Sequence, residues 1–255
     1  MATNKKVTHV SDGSSASANS RVFVPTAEAK QKAGKFRMYG ILLWILAVIA
    51  EIFAMVILFK KDPEVDLTTG KRVLLICILV VDLILLIVGS MFWKKANRYD
   101  PASKKNALKF FFQNQLGVVV AAIAFLPVVI LAFIKKEYIV GAIAALFMIG
   151  GGAASADYNP PSQEEYAQQI AEVEALTGQD FVYWTKSGSK YHLYDDCRYI
   201  NSSRTTEIFE GSVADARKEK NITELCSACR TKVMNEKDIT EEQLQEAQEK
   251  AKNAH

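Results

Sequence analysis

His192, Cys197, Cys226 and Cys229 are the residues of this 255-residue chain whose types and spacing could do chemistry. Four residues separate His192 from Cys197, two separate Cys226 from Cys229, and 28 lie between the pairs. Two close pairs joined by a longer insert are how one chain surrounds a tetrahedral ion. A C-x-x-C turn places two sulfurs on one side of the metal, and the first pair supplies the remaining donors. Three thiolates and one imidazole favour zinc. A shell filled by protein atoms leaves no position for water or substrate, so such an ion is structural rather than catalytic. Arg198 and Arg230 directly follow two of the ligands and could offset the negative charge of three thiolates around Zn²⁺. Cys226 and Cys229 could instead form a disulfide or a redox pair. No βαβ pattern surrounds them, however, and that reading leaves His192 and Cys197 without a role.

The elements that must position these ligands lie in residues 180–234. "FVYWT" reads as a strand, "KSGS" as a turn and "KYHLY" as a second strand, with "TTEIFEG" extended. Ser212 with Asp215 opens a short helix, "VADARKEK", ahead of "LCSACR". Roughly fifty residues make a thin core, and a bound metal can supply folding free energy directly. Residues 158–179 read as a juxtamembrane helix. Ser162 and Glu165 match a capping box, Tyr166, Ile170 and Val173 follow at helical spacing, and Gly178 can cap the end. Residues 235–255 read as a polar C-terminal helix with a thin seam of Leu244, Ala247 and Ala251.

The first part of the chain has a different solvent. Residues 1–156 carry 19 Lys/Arg against 9 Asp/Glu, whereas residues 157–255 carry 12 against 19. Such asymmetry points to separate environments. Four apolar runs, at 39–59, 73–93, 116–134 and 138–156, are each long enough to cross a hydrocarbon core of about 30 Å at about 1.5 Å per residue. None shows the polar face of a soluble amphipathic helix. The first run starts too late and is too long for a cleavable signal peptide. The expected fold class is therefore a multi-pass α-helical membrane protein, with four transmembrane helices over 38–157 and a small C-terminal α+β zinc-binding domain. Residues 1–37, with "SDGSSASANS", are expected to be a disordered tail. Placing both termini inside puts 10 flanking basic residues inside against 6 outside, which predicts cytoplasmic termini and a plasma-membrane location. Thiolates that bind metal are also easier to keep reduced in cytosol. The triplets "NSS" at 201 and "NIT" at 221 match a glycosylation pattern that arises often by chance.

The stretch "VYWTKSGSKYHLYDDCRYI…EGSVADARKEKNITELCSAC" resembles the small zinc-binding module of the Ada DNA-repair family. Modules of this type occur as short tails on otherwise unrelated bacterial proteins. The resemblance covers residues 180–232 and implies His192, Cys197, Cys226 and Cys229 as zinc ligands. In Ada itself the position matching His192 is a cysteine that accepts a methyl group from a DNA phosphotriester. An imidazole cannot take over thiolate alkyl transfer, so that activity does not carry over. Residues 180–234 hold 9 basic and 8 acidic side chains, without the concentrated positive charge that nucleic-acid binding needs.

Glu51 and Asp82 are the ionisable residues deep inside the first two runs, and intramembrane carboxylates mark candidate functional sites. Counted along antiparallel helices, both sit about 12–14 Å from the same membrane face, so they could share a proton or a cation. The bland reading is two protonated side chains hydrogen-bonded to neighbouring helices. Cys77 reads as a small apolar packing residue, while His9 and His255 lie at the chain ends. The leading expectation is a non-enzymatic membrane protein, embedded in the lipid bilayer, whose cytoplasmic zinc module engages a protein partner or a second copy. Alternatives are a small proton or cation pathway built on Glu51 and Asp82, and a zinc or redox sensor.

Overall fold

The computed structural model describes residues 6–10, 23–62, 65 and 67–254. The chain forms two compact units. One comprises Ala33–Asn97 and Leu108–Pro160; the other draws its described residues from Met1–Lys32, Arg98–Ala107 and Pro161–His255.

The helical unit is built from α1 (Ala27–Phe59), α2 (Thr69–Tyr99), α3 (Ala107–Ile134) and α4 (Tyr138–Ser155). All four are long and apolar enough to cross a membrane. In the most apolar 18-residue window of each helix 28–33 % is buried inside the protein, so most of that apolar surface faces outward. Small residues set the spacing between helices. A Cβ at Gly89 of α2 would lie 2.7 Å from the Trp44 ring, and one at Gly117 of α3 would lie 2.6 Å from Ser90 Oγ. In "GGGAAS" a Cβ at Gly151 would meet Leu83 at 2.8 Å, whereas Gly150 faces open space. The α3–α4 connection is Lys135–Glu137, with Lys136 left-handed at φ 61°. Its buried Glu137 accepts from the Leu67 amide at 3.1 Å and pairs with Arg72 at 3.1 Å and Lys61 at 3.7 Å. These contacts tie the α3–α4 turn to the α1–α2 connection.

Helices α1 to α3 run past the hydropathic spans at their polar ends. α1 begins at Ala27 because "AEAKQKAG" is rich in helix formers and Thr26 accepts a hydrogen bond from the Ala29 amide. This overturns part of the expected disordered tail over 1–37, as does strand β1 (Lys6–His9). Residues 1–5 and 11–22 of that tail lie outside the described residues.

In the second unit, α5 (Gln163–Thr177) starts where Ser162 accepts from the Glu165 amide and ends at left-handed Gly178, φ 87°. A sheet of order β1-β4-β2 pairs β4 (Glu207–Gly211) antiparallel with β2 (Val182–Thr185) and parallel with β1. β3 (Lys190–Tyr191) and β5 (Glu224–Leu225) form a second, two-stranded parallel sheet. α6 (Val213–Lys220) carries a full Ser212–Asp215 capping box, and α7 (Ser227–Lys237) and α8 (Glu241–Ala254) follow. Tyr166, Ile170, Val173 and Leu176 of α5 pack in one core with Trp184, Tyr191 and Val213, and Phe23 stacks on Tyr166 at 4.6 Å. Leu244 and Ala251 of α8 are buried, the seam that its sequence offers.

The attachment of β1 depends on Gly211. The Val10 amide donates to Glu210 O at 2.8 Å, and a Cβ at Gly211 would stand 2.4 Å from the Val10 carbonyl oxygen. Backbone cannot yield as a flexible side chain does, so Gly211→Ala is expected to free residues 6–10 from β4. Limited proteolysis then removes the N-terminal segment from the variant faster than from the native protein; equal protection would show that the segment does not pair there.

Candidate metal centre

Each ligand reaches the site through a local structure that its neighbours dictate. β3 delivers His192, whose amide donates to Tyr183 O at 2.7 Å while its own carbonyl accepts from the Tyr183 amide at 2.8 Å. This pairing fixes the backbone on both sides of the imidazole. The expected second strand "KYHLY" is short for that reason. After His192 the chain leaves the sheet and turns so that Cys197 comes back beside it, with the Ile200 and Asn201 amides donating to Cys197 O at 2.9 and 2.8 Å. The Cys226 amide donates to Tyr191 O at 2.9 Å, which locks the second pair onto the strand that carries the first. Cys226 then occupies the N-cap of α7 and Cys229 lies in its first turn.

The result brings all four side chains together. Their ligand atoms lie within 4.8 Å of one another, with His192, Cys226 and Cys229 buried and Cys197 half-buried. Cys229 Sγ stands 3.8 Å from His192 Nδ1. A tetrahedron with metal–sulfur bonds of about 2.3 Å has edges of about 3.8 Å, so the group is of the size a single ion would draw together. All four cysteines are free, so Cys226 and Cys229 are not joined as a disulfide. Cys77 lies on the exposed face of α2, and His9 of β1 pairs with Glu210 at 3.3 Å; neither approaches a ligand cluster. His255 lies outside the described residues.

The electrostatics favour a cation. Burial, helped by the Lys190 charge, pushes the His192 imidazole down to about 4, so it is neutral and offers a lone pair. Burial pushes the Cys229 thiol up to about 12, and the neighbouring Cys197 and Cys226 sulfurs push in the same direction. Three sulfurs crowded together cannot all ionise without a positive charge among them, and a metal ion supplies that charge. Of the flanking arginines, Arg230 does not. Arg230, expected to offset the thiolates, instead donates to Glu172 at 2.7 Å and to Glu241 at 2.8 and 2.6 Å. It thereby joins α5, α7 and α8. Arg198 is exposed and folds over the Tyr199 ring at 4.8 Å, though its charge still acts on Cys197 and Cys226.

A cavity of about 350 Å³ opens beside His192 and Cys226, lined also by Thr185, Ser189, Lys190 and Tyr199. It is the side from which solutes could approach the cluster.

Arg217 gave no signal in the sequence and is central to the unit. It is fully buried, stands 3.1 Å from Glu165 Oε2, donates to Gln169 at 3.1 Å and lies 5.0 Å over the Tyr166 ring. The glutamate expected to complete the capping box of α5 is thus committed to an ion pair with α6.

Glu51 and Asp82 are both buried in the helical unit, 3 % and 0 % exposed. Comparisons with protein-family models, with curated proteins and with solved structures find no match to this chain.

Proposed function

We propose that this chain is a non-enzymatic integral membrane protein that presents a structural-zinc module for interaction with a protein partner or for assembly with further copies. The observation that carries the reading is the approach of His192, Cys197, Cys226 and Cys229 to within 4.8 Å, all four donors supplied by the protein. Zinc suits this donor set, and a filled shell serves the fold rather than a reaction. The "KYH…C" and "CSAC" halves add the resemblance to Ada-type modules, with His192 in place of a methyl-accepting thiol.

Residues around the N-terminus, the α2–α3 connection and the C-terminal region belong to one compact unit. That favours a topology in which all three share one side of the bilayer, and the flanking basic residues and the thiols favour the cytoplasmic side.

Metal content tests the reading directly. The full chain, purified anaerobically in detergent, is expected to hold one zinc per chain by elemental analysis and to lose it on Cys226→Ser. Cobalt substitution should give the visible absorption of a tetrahedral thiolate site. Protein isolated without any metal, or with zinc that survives Cys226→Ser, would exclude the assigned shell.

A further inference from the structure

The helical unit buries two acidic side chains that the zinc reading leaves without a task. Glu51 lies on α1 and Asp82 on α2; Gly40 approaches Gly89 and Trp93, and Trp44 donates to Leu86 O, so the two helices run antiparallel and counting on from these contacts sets Glu51 near the level of Asp82. Both Asp82 carboxyl oxygens and Glu51 Oε1 are buried without a hydrogen-bond partner.

Compensating positive charge is missing at this depth among the described residues. Lys109 is the one Asp, Glu, Lys, Arg or His residue of α3, and it lies in the first turn. α4 has none. The nearest basic residues along the chain are Lys60, 9 positions after Glu51 and just past the end of α1, and Arg72, 10 positions before Asp82. At about 1.5 Å per residue these lie about 14–15 Å away along the axis. Lys61 and Arg72, at that end of the unit, are already paired with Glu137. The layers around the pair are apolar: Ala54, Leu79, Leu86, Phe125 and Val128.

Two bare carboxylates in such a place would cost far more than the packing around them returns, and like charges at close range cannot both ionise. Something positive must sit there. We propose that Glu51 and Asp82 form an intramembrane proton-binding site that holds the pair neutral, or singly charged with one shared proton, at physiological pH. The three buried oxygens without a hydrogen-bond partner supply the proton acceptors. The claim is independent of the zinc module, because the pair and its neighbours all belong to the helical unit.

Infrared spectroscopy of the full chain in phosphatidylcholine vesicles tests it at neutral pH. The expected result is a carbonyl-stretch band of a protonated carboxylic acid in an apolar setting, lost or shifted on Glu51→Gln and on Asp82→Asn. Both replacements keep nearly the same volume. Should either variant fail to fold, carboxyl-¹³C glutamate or aspartate incorporated into the unaltered chain must shift the same band. A chain with only carboxylate bands at neutral pH overturns the proposal. So does a protonated band that disappears when sodium or potassium is added, since a metal cation would then be the occupant.

Discussion

Stripping the metal from the intact chain is expected to unfold the unit built from α5 to α8, and to leave the four membrane helices in place. Three quantities lead to that result. Structural zinc in small domains contributes about 10–16 kcal/mol at neutral pH. A whole domain is typically stable by about 5–15 kcal/mol. The first therefore matches or exceeds the second. The cluster also sits inside the core: Cys226 and Cys229 pack in the same cluster as Trp184 and Tyr191, and the backbone around His192 is held by short pairings alone, two residues of β3 with β5 and one bridge to Tyr183. Trp184 is the probe, 1 % exposed in the folded unit, whereas Trp44 and Trp93 belong to the helical unit. Excess chelator should shift the Trp184 emission to the red, and Cys229→Ser should do the same without chelator. Acid should act likewise, because protons compete with the ion for thiolates and imidazole, so metal is lost as pH falls. A metal-free chain that keeps Trp184 buried and its melting temperature unchanged would show the ion to be dispensable for folding.

Arg217→Ala is expected to destabilise the same unit by about 3–5 kcal/mol with the metal still bound, the usual cost of removing one partner from a buried ion pair. The arginine does three things that alanine cannot. It neutralises Glu165, satisfies Gln169 and fills the space above the Tyr166 ring. Lysine at this position keeps the charge but loses the planar fork, so Arg217→Lys should fall between alanine and the native residue. Thermal unfolding followed through Trp184 measures each loss, and a double-mutant cycle with Glu165→Ala isolates the pair. An alanine variant within about 0.5 kcal/mol of the native protein would mean that the site tolerates the loss as an ordinary surface position does.

The four long apolar helices were legible because uninterrupted apolar stretches of that length cannot be mistaken for a soluble helix face. Their polar extensions were not, because helix formers such as those in "AEAKQKAG" carry no hydropathic signal. The convergence of His192, Cys197, Cys226 and Cys229 was readable from residue type and spacing alone, and the Ser212–Asp215 capping box from its two polar residues. Arg217 was hidden because "VADARKEK" looks like a solvated helix. Its burial comes from Glu165 and Tyr166, about fifty residues earlier, and no local pattern announces such a partner. Arg230 was misread for the opposite reason. Its neighbour in sequence is a ligand, but its neighbours in space are Glu172 and Glu241. β1 escaped notice because "KVTH" is too short and too polar to read as a strand, and it is ordered by the edge that β4 offers.

That last pairing also sets a clock. Thr8 bonds to Glu207, 199 residues further along the chain. At synthesis rates of about 5–20 residues per second, the first strand waits about 10–40 s for its partner to leave the ribosome. During that interval all four membrane helices are made, while residues 6–10 remain without the edge they will occupy. The sheet is thus completed only after the four long apolar helices have been made, so β1 finds its edge later than elements synthesised after it.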